Sequence, residues 1–200
     1  GKLSLSPNGN GGWFTSLDNA GLLKDATDRG VEWLNVFGVD NVLVKIADPI
    51  FTGAIIEEGY VPGSKVVRKK NKEEKVGHLC LADGKPAIVE YFEMTPELLD
   101  MKKANGDLVF NFGVILNYNF RIDKLVEIMN KEIPVHVVTK KIPYLDEAGN
   151  LVKPEEPNGH RFEQMITDQV HLMDNCLPFE VVREKEFAPV KNATGVDSVE

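Results

Sequence analysis

Apolar residues recur at helical spacing in several stretches of the chain. Between Asp18 and Gly30 the pattern is that of an amphipathic helix, and Gly30 suits its end because glycine readily takes the left-handed conformation that follows many helices. Thr95 can cap a helix whose first position is Pro96. The spacing predicts helices over 18–30, 51–59, 95–106, 123–133 and 161–175.

The remaining apolar runs have the length and composition of strands. The run over 31–39 is apolar almost throughout, which is typical of a buried parallel strand. Two runs flank the turn at 83–85 and predict a hairpin. Further strands are expected over 64–70, 75–82, 85–94, 107–120 and 178–187, and a hairpin with a loop over 140–159. Strands that alternate with helices predict an α/β fold, here with antiparallel ribbons added.

Two polar residues interrupt the apolar region that runs from Asn35 to Pro49. Asp40 and Asn41 stand between two parts that both have the composition of buried strands. One interpretation is a loop with an Asx turn, in which the side chains bond to nearby backbone. The other is a carboxylate at the end of a core strand that faces a ligand crevice, where open α/β sheets bind their ligands. The pattern alone leaves both open.

The composition is that of a globular protein, and it narrows the choice of partners. The chain has 200 residues, of which 42% are hydrophobic and 27% charged. Its net charge of −8 argues against nucleic acid as a partner, since phosphate backbones bind basic surfaces. No apolar run approaches the roughly 20 residues that span a bilayer, so no membrane partner is expected. A ligand that carries phosphates would need local lysine, arginine or a metal ion.

The cysteines and histidines give no sign of a metal or redox site. Cys80 and Cys176 form no Cys-x-x-Cys pair, and the apolar surroundings of Cys80 predict a buried thiol. The four histidines show no ligand spacing and are interpreted as structural or surface residues. These features favour a cytoplasmic setting.

Glycine and asparagine alternate near the start of the chain, in the stretch SPNGNGGWF. Glycine lets backbone N–H groups approach a ligand closely, although a flexible loop is the plainer interpretation. The spacing is not that of a phosphate-binding P-loop. The residues before this loop resemble the end of a strand, so we expect the domain to be truncated at its N-terminus.

Several stretches, taken in order, resemble one family. They are GKLSLSPNGNGGWF, VDNVLVKIADP, KVGHLCLADGKPAIVEYFE, FNFG, KKIPYLDEAGNLVKPEEPNG and VVREKEFAPVKN. Together they resemble the eukaryotic UDP-N-acetylglucosamine pyrophosphorylases, or UTP:N-acetylglucosamine-1-phosphate uridylyltransferases, over essentially the whole chain. The resemblance implies a Rossmann-like nucleotidyltransferase fold, α/β with a mixed, mostly parallel sheet flanked by helices. Residues 1–200 would be the sugar- and metal-binding part of its central catalytic domain.

The resemblance assigns the nucleotide end of a site to four residues. Gly9 would lie against the uracil, and Asn10 would reach toward the sugar. Asp40 would be catalytic and would hold Mg²⁺ beside the nucleotide phosphates, because a hard cation binds anionic oxygen. Lys191 would be catalytic as a cation that offsets phosphate charge. UTP, N-acetylglucosamine 1-phosphate and UDP-N-acetylglucosamine are the implied partners.

The sugar end is assigned in the same way. The backbone of Gly77 would meet the N-acetyl group, and Tyr91 would line the pocket for it. Glu90 would accept hydrogen bonds from sugar hydroxyls. Asn111, in the stretch FNFG, is a further candidate for sugar binding.

Three departures from the family pattern qualify these expectations. The family's glycine-rich nucleotide loop is absent, so the 200 residues alone are expected to be inactive. Val114 replaces a family asparagine that contacts the sugar, and Met165 and Thr167 replace aromatic residues. The preferred sugar, N-acetylglucosamine or N-acetylgalactosamine, is therefore left open. A broader UDP-sugar or UDP-glucose pyrophosphorylase and a non-catalytic UDP-sugar-binding chain are the alternatives.

Overall fold

A six-stranded mixed sheet forms the centre of the protein. A computed structural model describes residues 7–199. The strand order is β10–β2–β5–β3–β4, and β1 also pairs with β5. These strands are β1 (Trp33–Phe37), β2 (Pro62–Arg68), β3 (His78–Ala82), β4 (Lys85–Val89), β5 (Phe112–Arg121) and β10 (Leu177–Glu180). The mixed α/β fold predicted from the sequence is confirmed.

The expected parallel majority of strands is wrong for the part of the chain that the structure describes. Strand β5 is long and central, and it runs antiparallel to β1, β2 and β3. The parallel pair of strands in this sheet is β2 with β10. Strand β1 is therefore antiparallel, contrary to the prediction, because an apolar run shows that a strand is buried but not which way its partner runs.

Two small ribbons lie outside the main sheet. Strands β6 (His136–Lys140) and β9 (Gly159–Glu163) form one, and β7 (Tyr144–Leu145) and β8 (Leu151–Val152) form the other. The second ribbon is the hairpin that was predicted over 140–159. The predicted hairpin of β3 and β4 is also confirmed, with both Asp83 and Gly84 at positive φ in its turn.

The helices flank the sheet and are shorter than the apolar spacing indicates. They are α1 (Trp13–Asn19), α2 (Leu22–Asp28), α3 (Pro49–Glu57), α4 (Pro96–Asp100), α5 (Ile122–Ile128), α6 (Ile166–His171) and α7 (Arg183–Glu186). The predicted helix over 18–30 is divided, because Gly21 takes a left-handed conformation with φ +72°. Thr95 caps α4 as predicted, accepting a bond from the Leu98 N–H.

Two predicted elements near the C-terminus change type along their length. The stretch over 161–175 begins as strand β9 and becomes helix α6 only at Ile166, since its first residues pair with β6. The stretch over 178–187 is a strand only as far as Glu180 and then forms α7. Both errors have the same cause, which is that pairing with a distant strand overrides local spacing.

The core lies between the sheet and helices α1, α2, α5 and α6. Its fully buried members include Tyr118, Phe120, Leu125 and Val170. Cys176 belongs to this core, but Cys80 is only partly buried, contrary to the prediction. Among residues 7–199, no helix has the length and apolar character that crossing a bilayer requires.

Candidate functional site

A cavity of about 360 Å³ opens where the end of β1 and the middle of β5 meet α6 and the segment after α7. Six of the eight residues proposed for the site line it: Gly9, Asn10, Asp40, Gly77, Glu90 and Lys191. The three positions that depart from the family pattern line it too: Val114, Met165 and Thr167. Residues far apart in the chain are thus brought to one site.

A carboxylate and an ammonium group face each other at one end of the cavity. Asp40 Oδ2 lies 3.4 Å from Lys191 Nζ, and both side chains are partly open to solvent. Lys75 lines the same cavity and adds a second cation, which the sequence analysis did not identify. An exposed pair of this kind contributes little stability, so its interest lies in the charges it offers to a ligand.

The structure separates the roles of the two polar residues that interrupt this region, Asp40 and Asn41. Asn41 is 3% exposed and makes the turn, accepting bonds from the Leu43 and Ala188 N–H groups. Its amide donates to the carbonyl of Glu186 over 2.7 Å. Asp40 points instead into the cavity. Asn41 therefore fixes the loop, and the Asp40 carboxylate faces the cavity beside Lys191.

A bulge in β5 shapes the middle of the cavity wall. Ser64 and Val66 of β2 pair with Tyr118 and Val114, so β5 carries two extra residues there. Leu116 lies inside this bulge with φ +50° and accepts a bond from the Gly38 N–H over 2.8 Å. Bulges occur often beside functional sites because they redirect side chains. This one ties the end of β1, just before Asp40, to the centre of the sheet.

The glycine-rich loop is held against α6 and is not a free loop. The backbone carbonyl of Gln164 accepts a bond from the Gly11 N–H, and the Gln164 N–H donates to the backbone carbonyl of Asn8. The Asn10 side chain accepts a bond from the Ile166 N–H over 2.9 Å. A Cβ on Gly9 would stand 2.1 Å from the Gln164 carbonyl oxygen. Close backbone packing therefore requires glycine at position 9, whatever ligand binds beside it.

At the other end of the cavity Gly77 lies beside Glu90. A Cβ on Gly77 would stand 3.3 Å from Glu90 Oε1. Burial, reinforced by the nearby charge of Glu93, raises the pKa of the Glu90 carboxyl. A half-buried carboxylate of this kind is well suited to accept hydrogen bonds from a neutral polyol.

Two of the proposed site residues lie outside this cavity. Tyr91 is 37% exposed and packs edge-on against Phe92. Asn111 is buried, and its carbonyl accepts the Lys69 N–H over 3.0 Å. Tyr91 follows Glu90 directly but lies in the turn after β4, and Asn111 immediately precedes β5.

His136 links two carboxylates next to Glu90. Its Nε2 lies 3.0 Å from Asp168 Oδ2, and its Nδ1 lies 3.2 Å from Glu93 Oε1. Burial by itself would lower the pKa of this imidazole, but Asp168 and Glu93 outweigh burial and raise it. The group joins β6, α6 and the segment after β4 at the edge of the site.

The donor set at Asp40 fits one mode of magnesium binding. Among residues 7–199 there is no group of three or more histidine, cysteine, aspartate or glutamate side chains arranged to hold a metal ion. Asp40 alone fits Mg²⁺ that takes one carboxylate from the protein and its other ligands from substrate phosphates and water.

Comparison with known proteins identifies the family of this chain. The UDPGP family, described as UTP--glucose-1-phosphate uridylyltransferase, matches residues 1–197. The human UDP-N-acetylhexosamine pyrophosphorylase-like protein 1 is 42% identical over 199 residues, covering 98% of this chain and 39% of that protein. The UDP-N-acetylglucosamine pyrophosphorylase of Saccharomyces cerevisiae is 39% identical, covering 97% of this chain and 42% of that protein. The chain thus spans about two fifths of the length of the curated relatives it matches.

Solved structures have the same fold. A crystal structure from Entamoeba histolytica, provisionally named a UDP-N-acetylglucosamine pyrophosphorylase, superposes with a TM-score of 0.90 at 32% identity, over 99% of this chain and 50% of that one. The UDP-N-acetylglucosamine pyrophosphorylase of Trypanosoma brucei superposes with a TM-score of 0.75 at 27% identity, over 88% of this chain and 35% of that one. The family match over 1–197 confirms the resemblance found in the sequence motifs, and the chain belongs to the UDPGP family.

Proposed function

We propose that the protein transfers uridylyl from UTP to an N-acetylhexosamine 1-phosphate, giving a UDP-N-acetylhexosamine and pyrophosphate. The observation that carries the proposal is one cavity with Asp40 and Lys191 at one end and Gly77 and Glu90 at the other. Charged groups at one end suit phosphates, and the half-buried carboxylate at the other suits sugar hydroxyls. The names of the human and yeast relatives support the same reaction class.

The chemistry needs no nucleophile from the protein. A phosphate oxygen of the sugar 1-phosphate attacks the α-phosphorus of UTP, the bond to the β-phosphate breaks, and pyrophosphate leaves. Catalysis of such a transfer is mainly positioning and charge neutralisation. Lys191 supplies positive charge beside Asp40, and Lys75 adds a second positive charge to the cavity wall of a chain whose net charge is −8.

Magnesium is the cofactor that we propose for Asp40. When bound there with the substrate phosphates, the ion would supply further neutralisation of phosphate charge. Asp40 is anchored for this role, since its own carbonyl accepts the Val190 N–H over 2.8 Å. Its carboxylate would turn from Lys191 toward the ion, and Lys191 would turn toward phosphate.

The sugar is proposed to be an N-acetylhexosamine, with a broader UDP-sugar pyrophosphorylase as the second candidate. Val114 favours keeping the second candidate, because an apolar side chain on the cavity wall cannot bond to a sugar hydroxyl. A site that does not bind a hydroxyl directly discriminates poorly between sugars that differ there. We expect N-acetylglucosamine and N-acetylgalactosamine 1-phosphates both to react, in a cytoplasmic setting.

Pyrophosphate release tests the proposal. The natural protein that carries this sequence is supplied with UTP, Mg²⁺ and a panel of sugar 1-phosphates. We expect release with N-acetylhexosamine phosphates and a loss of about 100-fold or more in Asp40→Asn, since one electrostatic group at the reacting centre contributes that much. The exposed Asp174→Asn variant is the control for loss of one negative charge.

The outcomes separate the candidates. Greatest release with glucose or galactose 1-phosphate would favour the broader enzyme. No release with any sugar phosphate, or full turnover in Asp40→Asn, would contradict the proposal. The 200-residue chain alone is expected to give no release. If the natural protein also gives none but binds UDP-N-acetylglucosamine, the non-catalytic binding alternative is correct.

A further inference from the structure

Lys65 is a fully buried lysine beneath the candidate site. It belongs to β2, is 0% exposed, and places its Nζ 2.6 Å from Asp48 Oδ2 and 2.6 Å from Glu186 Oε2. The other oxygen of Glu186 lies 2.9 Å from Lys45 Nζ. Burial by itself would raise the pKa of the Asp48 carboxyl, but the bond and charge of Lys65, together with bonds from backbone N–H groups, outweigh burial and lower it.

Stability alone is a weak reason for such a group. Removing charges from water costs several kcal/mol per ion, and apolar residues of similar size often replace a buried ion pair without loss. A buried pair does, however, hold its partners in fixed positions through short bonds of defined direction. The relevant question is therefore which segments Lys65 holds.

Glu186, one partner of Lys65, begins the segment that contains Lys191. Glu186 is the last residue of α7, and its carbonyl accepts the bond from the Asn41 side chain. The following residues then pair with the loop after β1. The Val42 N–H donates to Ala188 over 3.2 Å, and the Val190 N–H donates to Asp40 over 2.8 Å. This pairing leads directly to the Lys191–Asp40 contact.

Asp48, the other partner of Lys65, lies at the end of the loop that contains Asp40. Asp48 is the N-cap of α3 and accepts the Ile50 N–H over 3.0 Å, so its position is set by the helix. The loop between β1 and α3 thus runs from Asp40 to a residue bonded to Lys65. Lys65 itself does not line the cavity among the described residues. One buried ammonium group therefore joins both segments whose ends meet at Asp40 and Lys191.

We propose that Lys65, Glu186 and Asp48 are positioning residues that hold Asp40 and Lys191 together as one unit. The catalytic part of this inference rests on the proposed function, whereas the positioning part can be tested without turnover. In this arrangement Lys65 touches no substrate. Its positive charge fixes the two segments relative to each other, because Asp48 and Glu186 come from different segments and both bind it.

Amide hydrogen exchange of the natural protein tests the positioning directly. In Glu186→Gln the side chain keeps its size but loses the charge that binds Lys65. We expect exchange at Val42 and Val190 to rise by about tenfold or more, while amides of β5 change little, because local opening differs from global unfolding. Glu184→Gln, an exposed position on the same helix, is the matched control and should change neither.

A second variant guards against a folding defect. Asp48→Asn keeps a good N-cap for α3 and removes only the charge, so it should fold and should raise exchange at Val42. Equal increases over all core amides, or no increase at Val42 and Val190 in either variant, would overturn the proposal. A lack of turnover in the unaltered protein would contradict the proposed function but would leave this measurement intact.

A double-variant cycle tests the catalytic part. Glu186→Gln should lower kcat/KM by about tenfold or more in the unaltered background, but by less than about threefold when Lys191→Met is already present. This difference is expected because Glu186 acts through the Lys191 position. Equal losses in both backgrounds would show a general structural role and would overturn the catalytic part.

Discussion

Val114 donates its backbone N–H to the carbonyl oxygen of Gly77 over 2.9 Å, and both residues lie on the wall of the cavity. A Cβ on Gly77 would stand 2.9 Å from Ile88 Cγ2 and 3.2 Å from Val114 Cγ2. Gly77, which has no side chain, and Val114, whose side chain is branched, therefore set the space available to a ligand at this end of the cavity.

Gly77→Ala should destabilise the protein by about 1–3 kcal/mol, because the new methyl group overpacks a filled site. It should also raise KM for the sugar 1-phosphate. Urea unfolding and steady-state kinetics measure the two effects. The control is Gly53→Ala, where a Cβ would meet no atom within 4 Å and the helix should gain up to about 1 kcal/mol. Equal effects of the two substitutions would show that Gly77 is not crowded.

Val114→Asn should change sugar selectivity. Asparagine offers two donors and one acceptor where valine offers none. The asparagine would bond to a hydroxyl of one epimer and would stay unpaired and buried against the other. Either effect corresponds to roughly 1–3 kcal/mol, or about 10- to 100-fold in the relative affinity for the two epimers. We therefore expect the kcat/KM ratio of N-acetylglucosamine to N-acetylgalactosamine 1-phosphate to shift by that order. The exposed Val137→Asn is the control, and an unchanged ratio in Val114→Asn would place residue 114 outside the reach of the sugar.

The sequence was sufficient to predict six residues of the cavity lining but not the residues that support them. Asp40, Glu90 and Lys191 could be identified because they stand in motifs with a recognisable order. Lys65 could not, since a lysine in a short apolar strand has the same local pattern whether it is exposed or buried. Its burial depends on Asp48 and Glu186, which lie far away in the chain.

Strand direction was likewise not predictable from local pattern. The run that became β1 is apolar because Leu34 and Val36 pack against the core, and the same pattern fits either orientation of its partner. The glycine-rich loop shows a related limit. Its glycines were interpreted through a ligand, whereas Gly9 and Gly11 are also required by contact with the backbone of Gln164. Such contacts between distant segments leave no periodic signal.

His136 should make the stability of the protein depend on pH above the ordinary histidine range. The pKa of its imidazole is raised in the folded state, since Asp168 and Glu93 outweigh the opposing effect of burial. The unfolded value is about 6.5. The contribution of His136 to the free energy of unfolding is therefore complete below about pH 6.5 and is lost as the pH rises through the higher folded value.

Urea unfolding across this pH range, compared between the unaltered protein and His136→Asn, measures that contribution. The difference in free energy of unfolding should be largest at the acid end and should shrink toward alkaline pH. His160→Asn removes an exposed histidine of the adjacent strand β9 and should leave the pH dependence unchanged. A difference that grows with rising pH would contradict this prediction, because it would mean that the imidazole is neutral in the folded protein and can donate its one N–H to only one of Asp168 and Glu93.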